Sequence, residues 1–175
     1  MRTWLKLLLL VALAGLGALW LAPDPGKPTA LPGEPAPGVV LPDLTGRETS
    51  LSGWKGRAVA VNFWATWCAP CLEELPGFAA AWRESRGRCL EVVGIAEETG
   101  RDEAAAEAGR LGVGFPILLD EKGEAARAFG VTGYPHTVVI DAEGRVREVF
   151  RGKISREKLE AALAPLVPAS CLERR

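Results

Sequence analysis

Hydrophobic and polar positions divide most of this chain into short blocks with two different periods. Val39 to Leu44 and Gly46 to Leu51 look like the arms of a short hairpin, and Ala58 to Trp64 is an apolar run of the kind that fills a central strand covered on both faces. From Cys68 to about Arg86 the period changes. Leu72, Leu75, Phe78, Ala79 and Trp82 recur at helical spacing. Leu90 to Ala96 is a second buried strand, Arg101 to Leu111 an alanine-rich charged helix, and Phe115 to Leu119 a third strand. Glu124 to Phe129 predicts a short helix stopped by Gly130. Thr137 to Asp141 and Arg145 to Arg151 predict two strands joined by the tight turn Ala142-Glu143-Gly144, and Ser155 predicts the cap of a last helix reaching about Leu166. Two strand-helix-strand steps followed by an antiparallel hairpin make an α/β domain, a central mixed β-sheet with helices on both faces.

The two ends do not fit that pattern. Residues 1–22 carry Arg2 and Lys6 ahead of an uncharged run from Leu7 to Ala22, about 24 Å long as a helix and slightly short of a ~30 Å hydrocarbon core. Trp4, Lys6 and Trp20 suit the interface on either side, and the basic end is expected to stay cytoplasmic. The expectation is a single-pass anchor in the cytoplasmic membrane with the globular part on the extracytoplasmic, periplasmic side. A cleaved signal peptide is the competing reading, and it exports the domain equally. Residues 23–37 are dense in Pro, Gly and Ala and read as a spacer, residues 38–168 as the folded domain and residues 169–175 as a tail.

Charge excludes one class of partner. In 175 residues the formal net charge is -1, with both signs interspersed, so no basic face is available for nucleic acid.

The chemistry lies at the first strand-to-helix junction. Trp67-Cys68-Ala69-Pro70-Cys71 puts a thiol at a helix N-terminus, where unpaired N–H groups and the helix dipole favour thiolate and lower the pKa from ~8.5 toward ~7. Cys68 is then the nucleophile. Cys71, one turn inward, resolves the mixed disulfide, and Pro70 needs no N–H partner in the first turn. A zinc site would need a second ligand pair, and the single histidine, His136, is far away in sequence. Covalent haem attachment would need histidine where Leu72 stands. No metal and no cofactor is expected.

The stretch Val61-Asn62-Phe63-Trp64-Ala65-Thr66-Trp67-Cys68-Ala69-Pro70-Cys71-Leu72-Glu73-Glu74-Leu75-Pro76, together with Val131-Thr132-Gly133-Tyr134-Pro135-His136-Thr137-Val138-Val139-Ile140-Asp141, resembles the thioredoxin superfamily. The nearest likeness is to its membrane-anchored bacterial TlpA, ResA and CcmG (DsbE) group, over about residues 34–166. The resemblance implies a thioredoxin-like fold, a cis Pro135 packed against the CxxC pair, and a substrate-binding surface made by Trp67, Tyr134 and Pro135. Thioredoxins proper carry a buried aspartate where this chain has Asn62. The resemblance offers Glu74 as the substituting acid, with an exposed helix glutamate like Glu73 as the alternative. It also places Cys89 and Cys171 at the sheet end away from the active site, either as a structural disulfide or as two thiols.

By the same resemblance the protein is a protein-disulfide reductase. Its clients are expected to be proteins with cysteine pairs, apocytochrome c in cytochrome c biogenesis or a copper-site protein of cytochrome oxidase, and a membrane electron donor of the CcdA or DsbD type recharges it. A thiol peroxidase is one alternative, but peroxiredoxins place proline and threonine seven and three residues before the reactive cysteine, where Val61 and Ala65 stand here. A copper-binding metallochaperone is the other.

Overall fold

A computed structural model describes residues 30–85 and 89–168. Its centre is a five-stranded mixed sheet in the order β5-β4-β3-β6-β7, in which β3 (Ala58–Trp64) runs parallel to β4 (Leu90–Glu97) and antiparallel to β6 (His136–Ile140). β5 (Ile117–Asp120) and β7 (Val146–Arg151) form the edges, and β1 (Val40–Pro42) with β2 (Glu48–Ser50) makes the separate hairpin. Four α-helices complete the described chain: α1 (Ala69–Ser85), α2 (Arg101–Arg110), α3 (Glu124–Phe129) and α4 (Arg156–Leu163).

The period of two in β3 sorts its side chains between two cores. Ala58, Ala60 and Trp64 face a core completed by Leu75 and Phe78 of α1, Ala104 of α2 and Leu159 of α4. Val59, Val61 and Phe63 face the other, with Phe129 of α3 and Leu41 of β1. Each fully buried Phe or Leu contributes roughly 1.5–3 kcal/mol relative to exposure. Asn62 falls by the same alternation on the α1 face, level with Thr137 of β6. That placement matters more to the site than any single core contact.

Most predicted elements lie within one or two residues of their observed bounds, and α3 coincides, ended by Gly130 at φ 68°, a conformation glycine adopts without strain. The last helix is shorter than expected, since α4 stops at Leu163 and residues 164–166 tighten into a 3-10 turn containing Pro165. A larger difference concerns the Pro/Gly-rich segment. Its described part, residues 30–37, is not a free spacer, because Gly33 N–H donates to the Val146 carbonyl at 2.7 Å, Ala36 N–H donates to Gly144 at 2.9 Å, and Ala30 is buried. Backbone hydrogen bonds to the β6–β7 hairpin hold this stretch without large side chains, which is why its composition concealed them. Among the described residues no helix is long and apolar enough to cross a membrane, and the run from Leu7 to Ala22 lies outside them.

Candidate active site

β3 ends at Trp64, and the chain turns through Thr66 and Trp67 before entering α1 at Ala69. Cys68 stands at the helix mouth. Its carbonyl accepts from Leu72 N–H at 3.1 Å, the first bond of the helical ladder, and its own N–H donates to Ala65 O at 3.1 Å. Cys68 and Cys71 are joined by a disulfide, with Cα atoms 5.3 Å apart. Cys71 is fully buried and Cys68 is 5% exposed, so an incoming sulfur meets Cys68 first. Reduced, the Cys68 thiolate would sit at the positive end of a 17-residue helix.

Around that opening the chain presents an apolar rim. Trp67 is 62% exposed and meets the Tyr134 ring edge-on, centroids 5.7 Å apart. The Tyr134–Pro135 peptide is cis, Pro135 is buried, and its carbonyl accepts from Gly152 N–H at 2.8 Å. Trp64, by contrast, is wholly buried. Its indole lies over Gly94, where an added Cβ would come within 3.1 Å of Nε1.

The two neighbouring glutamates of α1 separate cleanly. Glu73 is exposed and ion-paired with Lys153 at 2.5 Å. Glu74 is 4% exposed, on the same face as Cys71, and each of its oxygens has one donor: Asn62 Nδ2 to Oε1 at 2.8 Å and Ile154 N–H to Oε2 at 3.0 Å. Burial pushes Glu74 up to about 7, against the pull of these two hydrogen bonds and of Lys153. A carboxyl that titrates at neutrality beside a buried thiol can take its proton and return it. Asn62 thus holds the acid rather than replacing it. Its Nδ2 also donates to Thr137 Oγ1 at 3.1 Å, so β3 and β6 jointly orient the carboxyl.

His136 contributes no charge here. It is 1% exposed, packed edge-on against Phe63 on the opposite face of the sheet, and burial first, then the Arg151 charge, push it down to about 4, so it is neutral at pH 7.

The sequence pattern did not disclose the acids beyond β4. Glu97, the last residue of that strand, is fully buried beside Asp120 of β5, and neither of its oxygens meets an N–H or O–H donor among the described residues. Burial first, then Asp120 and Glu98, push Glu97 up to about 9, with Arg127 opposing. Asp120 spends its oxygens on Glu124 N–H (2.8 Å) and Ala126 N–H (2.9 Å), capping α3. Burial, with Glu97, Glu98 and Asp120, also pushes the Tyr134 phenol up to about 12. A charged residue closing the apolar run from Val92 to Ala96 was the available signal. At the opposite end of the sheet, Cys89 takes φ 52° and is not a free thiol, while Cys171, one of the two cysteines for which a disulfide or two thiols stood open, lies outside the described residues.

Residues 32–149 match the model of the AhpC/TSA family. The chain is 35% identical over 171 residues to the thiol-disulfide oxidoreductase ResA of Geobacillus thermodenitrificans, covering 96% of this chain and 95% of that one. It is 33% identical over 155 residues to ResA of Bacillus subtilis, with 87% and 86% covered. Among solved structures, a thiol:disulfide interchange protein of the thioredoxin family from Chlorobium tepidum superposes with TM-score 0.70 at 30% identity, over 81% of this chain and 98% of that one. MTB DsbF superposes with TM-score 0.68 at 26% identity, over 73% and 94%.

Proposed function

The chain belongs to the AhpC/TSA family and is a thiol-disulfide oxidoreductase of the ResA and DsbE type with a thioredoxin-like fold; on that premise we propose that it works as a reductant of cysteine pairs in extracytoplasmic client proteins. The observation that carries this reading is the asymmetry of the pair. Cys68 opens beneath the Trp67 and Tyr134 rim, while Cys71 is fully buried one helical turn before the buried Glu74.

In the forward reaction the Cys68 thiolate attacks one client sulfur, breaking the client disulfide and forming a mixed disulfide. Cys71 then gives its proton to the Glu74 carboxylate and attacks Cys68 Sγ. The Cys68–Cys71 disulfide forms, the client leaves as a dithiol, and two electrons have passed to it. A dithiol electron donor of the CcdA or DsbD type in the membrane returns them. Ala69-Pro70 between the cysteines carries no charge to acidify Cys68 further, which supports the reducing direction. Trp67, Tyr134 and Pro135 form the docking surface, and the run from Leu7 to Ala22 tethers the domain outside the cytoplasmic membrane. Clients of the right chemistry are apocytochrome c haem-attachment cysteines and the cysteine pair of an oxidase copper site. A peroxidase would need polar groups to hold peroxide where the buried, apolar Val61 and Ala65 stand.

Equilibration of the full chain with glutathione or dithiothreitol buffers tests the direction. A potential at or below about -270 mV is expected, and one near -120 mV would make the protein a disulfide donor. Cys71→Ser, which cannot resolve the intermediate, is expected to accumulate a covalent adduct through Cys68 with oxidised peptides of the client type, read by non-reducing mass spectrometry. Reaction with the apocytochrome peptide only, or the copper-site peptide only, selects the client.

A further inference from the structure

Glu74 is buried, yet a small pocket of about 260 Å³ reaches it from the flank of the molecule. Its walls are Glu73, Glu74 and Gly77 of α1, residues 153–155 between β7 and α4, and Arg156, the first residue of α4. Neither the cysteines nor Trp67, Tyr134 and Pro135 line it, so it opens apart from the docking surface. A client seated over Cys68 would therefore leave it open.

Three charged side chains border this pocket besides Glu74. Arg156 is committed elsewhere, its guanidinium shared between Glu84 and Glu160. Lys153 is held by Glu73, and the residue after it supplies the N–H that binds Glu74 Oε2. The side chain that hydrogen-bonds Glu74 is neutral, Asn62 from β3 with Thr137 of β6 behind it, and Cys71 is buried three residues back on the same face of α1. Lys153 is then the cation whose field acts on Glu74 with no carboxylate but Glu73 competing for it.

Resting on the reading of Glu74 as the proton acceptor for Cys71, we propose that Glu74 exchanges its proton with solvent through this flank pocket, and that Lys153 at its rim is a positioning residue that favours the charged carboxylate. The proton taken from Cys71 thus leaves by a route separate from the client. Lys153 and Glu73 are both about half exposed, so the effect is modest and screened by salt.

The test uses the reduced full chain and the pH dependence of single-turnover reduction of a peptide disulfide. Lys153→Met is expected to move the midpoint governed by Glu74 upward by roughly half a unit, about a threefold loss of carboxylate at a given pH below the midpoint. Lys153→Arg is expected to restore it, and 0.5 M salt to narrow the difference. Gly77→Leu fits the helix, because an added Cβ stays in ordinary contact with Arg156, at 3.4 Å from Cβ, 3.9 Å from N and 4.0 Å from Cα, and its side chain fills the pocket. It is expected to cut carbodiimide labelling of Glu74 at pH 6 at least fivefold, located by tandem mass spectrometry, with Glu73 still labelled. An unchanged midpoint in Lys153→Met beside an altered one in Glu74→Gln overturns the role of Lys153 and leaves the acid in place. Unchanged profiles in both variants overturn the assignment of Glu74 itself. Undiminished labelling in Gly77→Leu overturns the route.

Discussion

Two carboxyls are buried toward the C-terminal ends of the central strands, and they are held in opposite ways. Glu74 meets one donor at each oxygen, a lysine at the pocket rim and a path to solvent. Glu97 meets another acid and no donor among the described residues. Burial raises both; the donors hold Glu74 near 7, while Glu97 goes to about 9. Desolvation beside the acids Asp120 and Glu98 locks Glu97 in its neutral form. Two hydrogen bonds bring Glu74 back to the range where a thiol's proton can be accepted and returned.

The sharpest break between the two is catalytic. Glu74→Gln should slow client release about 100-fold at pH 7 and flatten the pH profile there, the usual scale for losing a general base, whereas Glu97→Gln should stay within twofold. Single-turnover reduction measures both, and equal losses would erase the distinction.

Stability against pH separates them next. Each acid has a folded pKa above its ordinary value of 4.5, so the folded state binds the extra proton and stability falls as pH rises through the window between the two values. For Glu74 that window is 4.5 to about 7, a loss of about 3 kcal/mol that is complete above it. For Glu97 the loss continues to about 9, with roughly 3 kcal/mol remaining above pH 7. Urea unfolding at pH 7 and 9.5 should show that alkaline loss in the wild type and not in Glu97→Gln. Persistence of the full loss in the variant would assign it elsewhere.

Removing one donor should make Glu74 more like Glu97. Asn62→Ala strips Oε1 of its partner and should raise the Glu74 midpoint by about one unit, the worth of one hydrogen bond to a charged group. A midpoint left at 7 would mean that the donors do not set it.

The smallest effect reads Glu97 through its neighbour. Tyr134 is the one tyrosine of the chain, so phenolate absorbance after a rapid pH jump reports it alone. Glu97→Gln should lower that titration from about 12 by a few tenths of a unit, because burial remains the larger cause. No movement would separate Glu97 from the cis-proline loop.

Local pattern was enough for the framework. The seven-residue buried run of β3, the helix opening at the CxxC pair, and Gly130 after α3 all depend on neighbours a few residues away, which side-chain period and backbone conformation encode directly. The same holds for the place of Cys68, since a helix N-terminus is a local feature. Residues 30–37 escaped that logic, because their anchor is the backbone of residues 144–146, more than a hundred positions later.

By itself the sequence determined a thioredoxin-like α/β domain, a redox pair, and two adjacent glutamates of which one could serve it. Tertiary structure decided that Glu74 is the buried acid and Glu73 the surface ion pair, that Asn62 serves the carboxyl, and that His136 is neutral. The reason is the distance along the chain. Glu74 takes its donors from Asn62, 12 residues back, and Ile154, 80 residues on, and the proton affinity of a buried carboxyl is set by what folding brings to it.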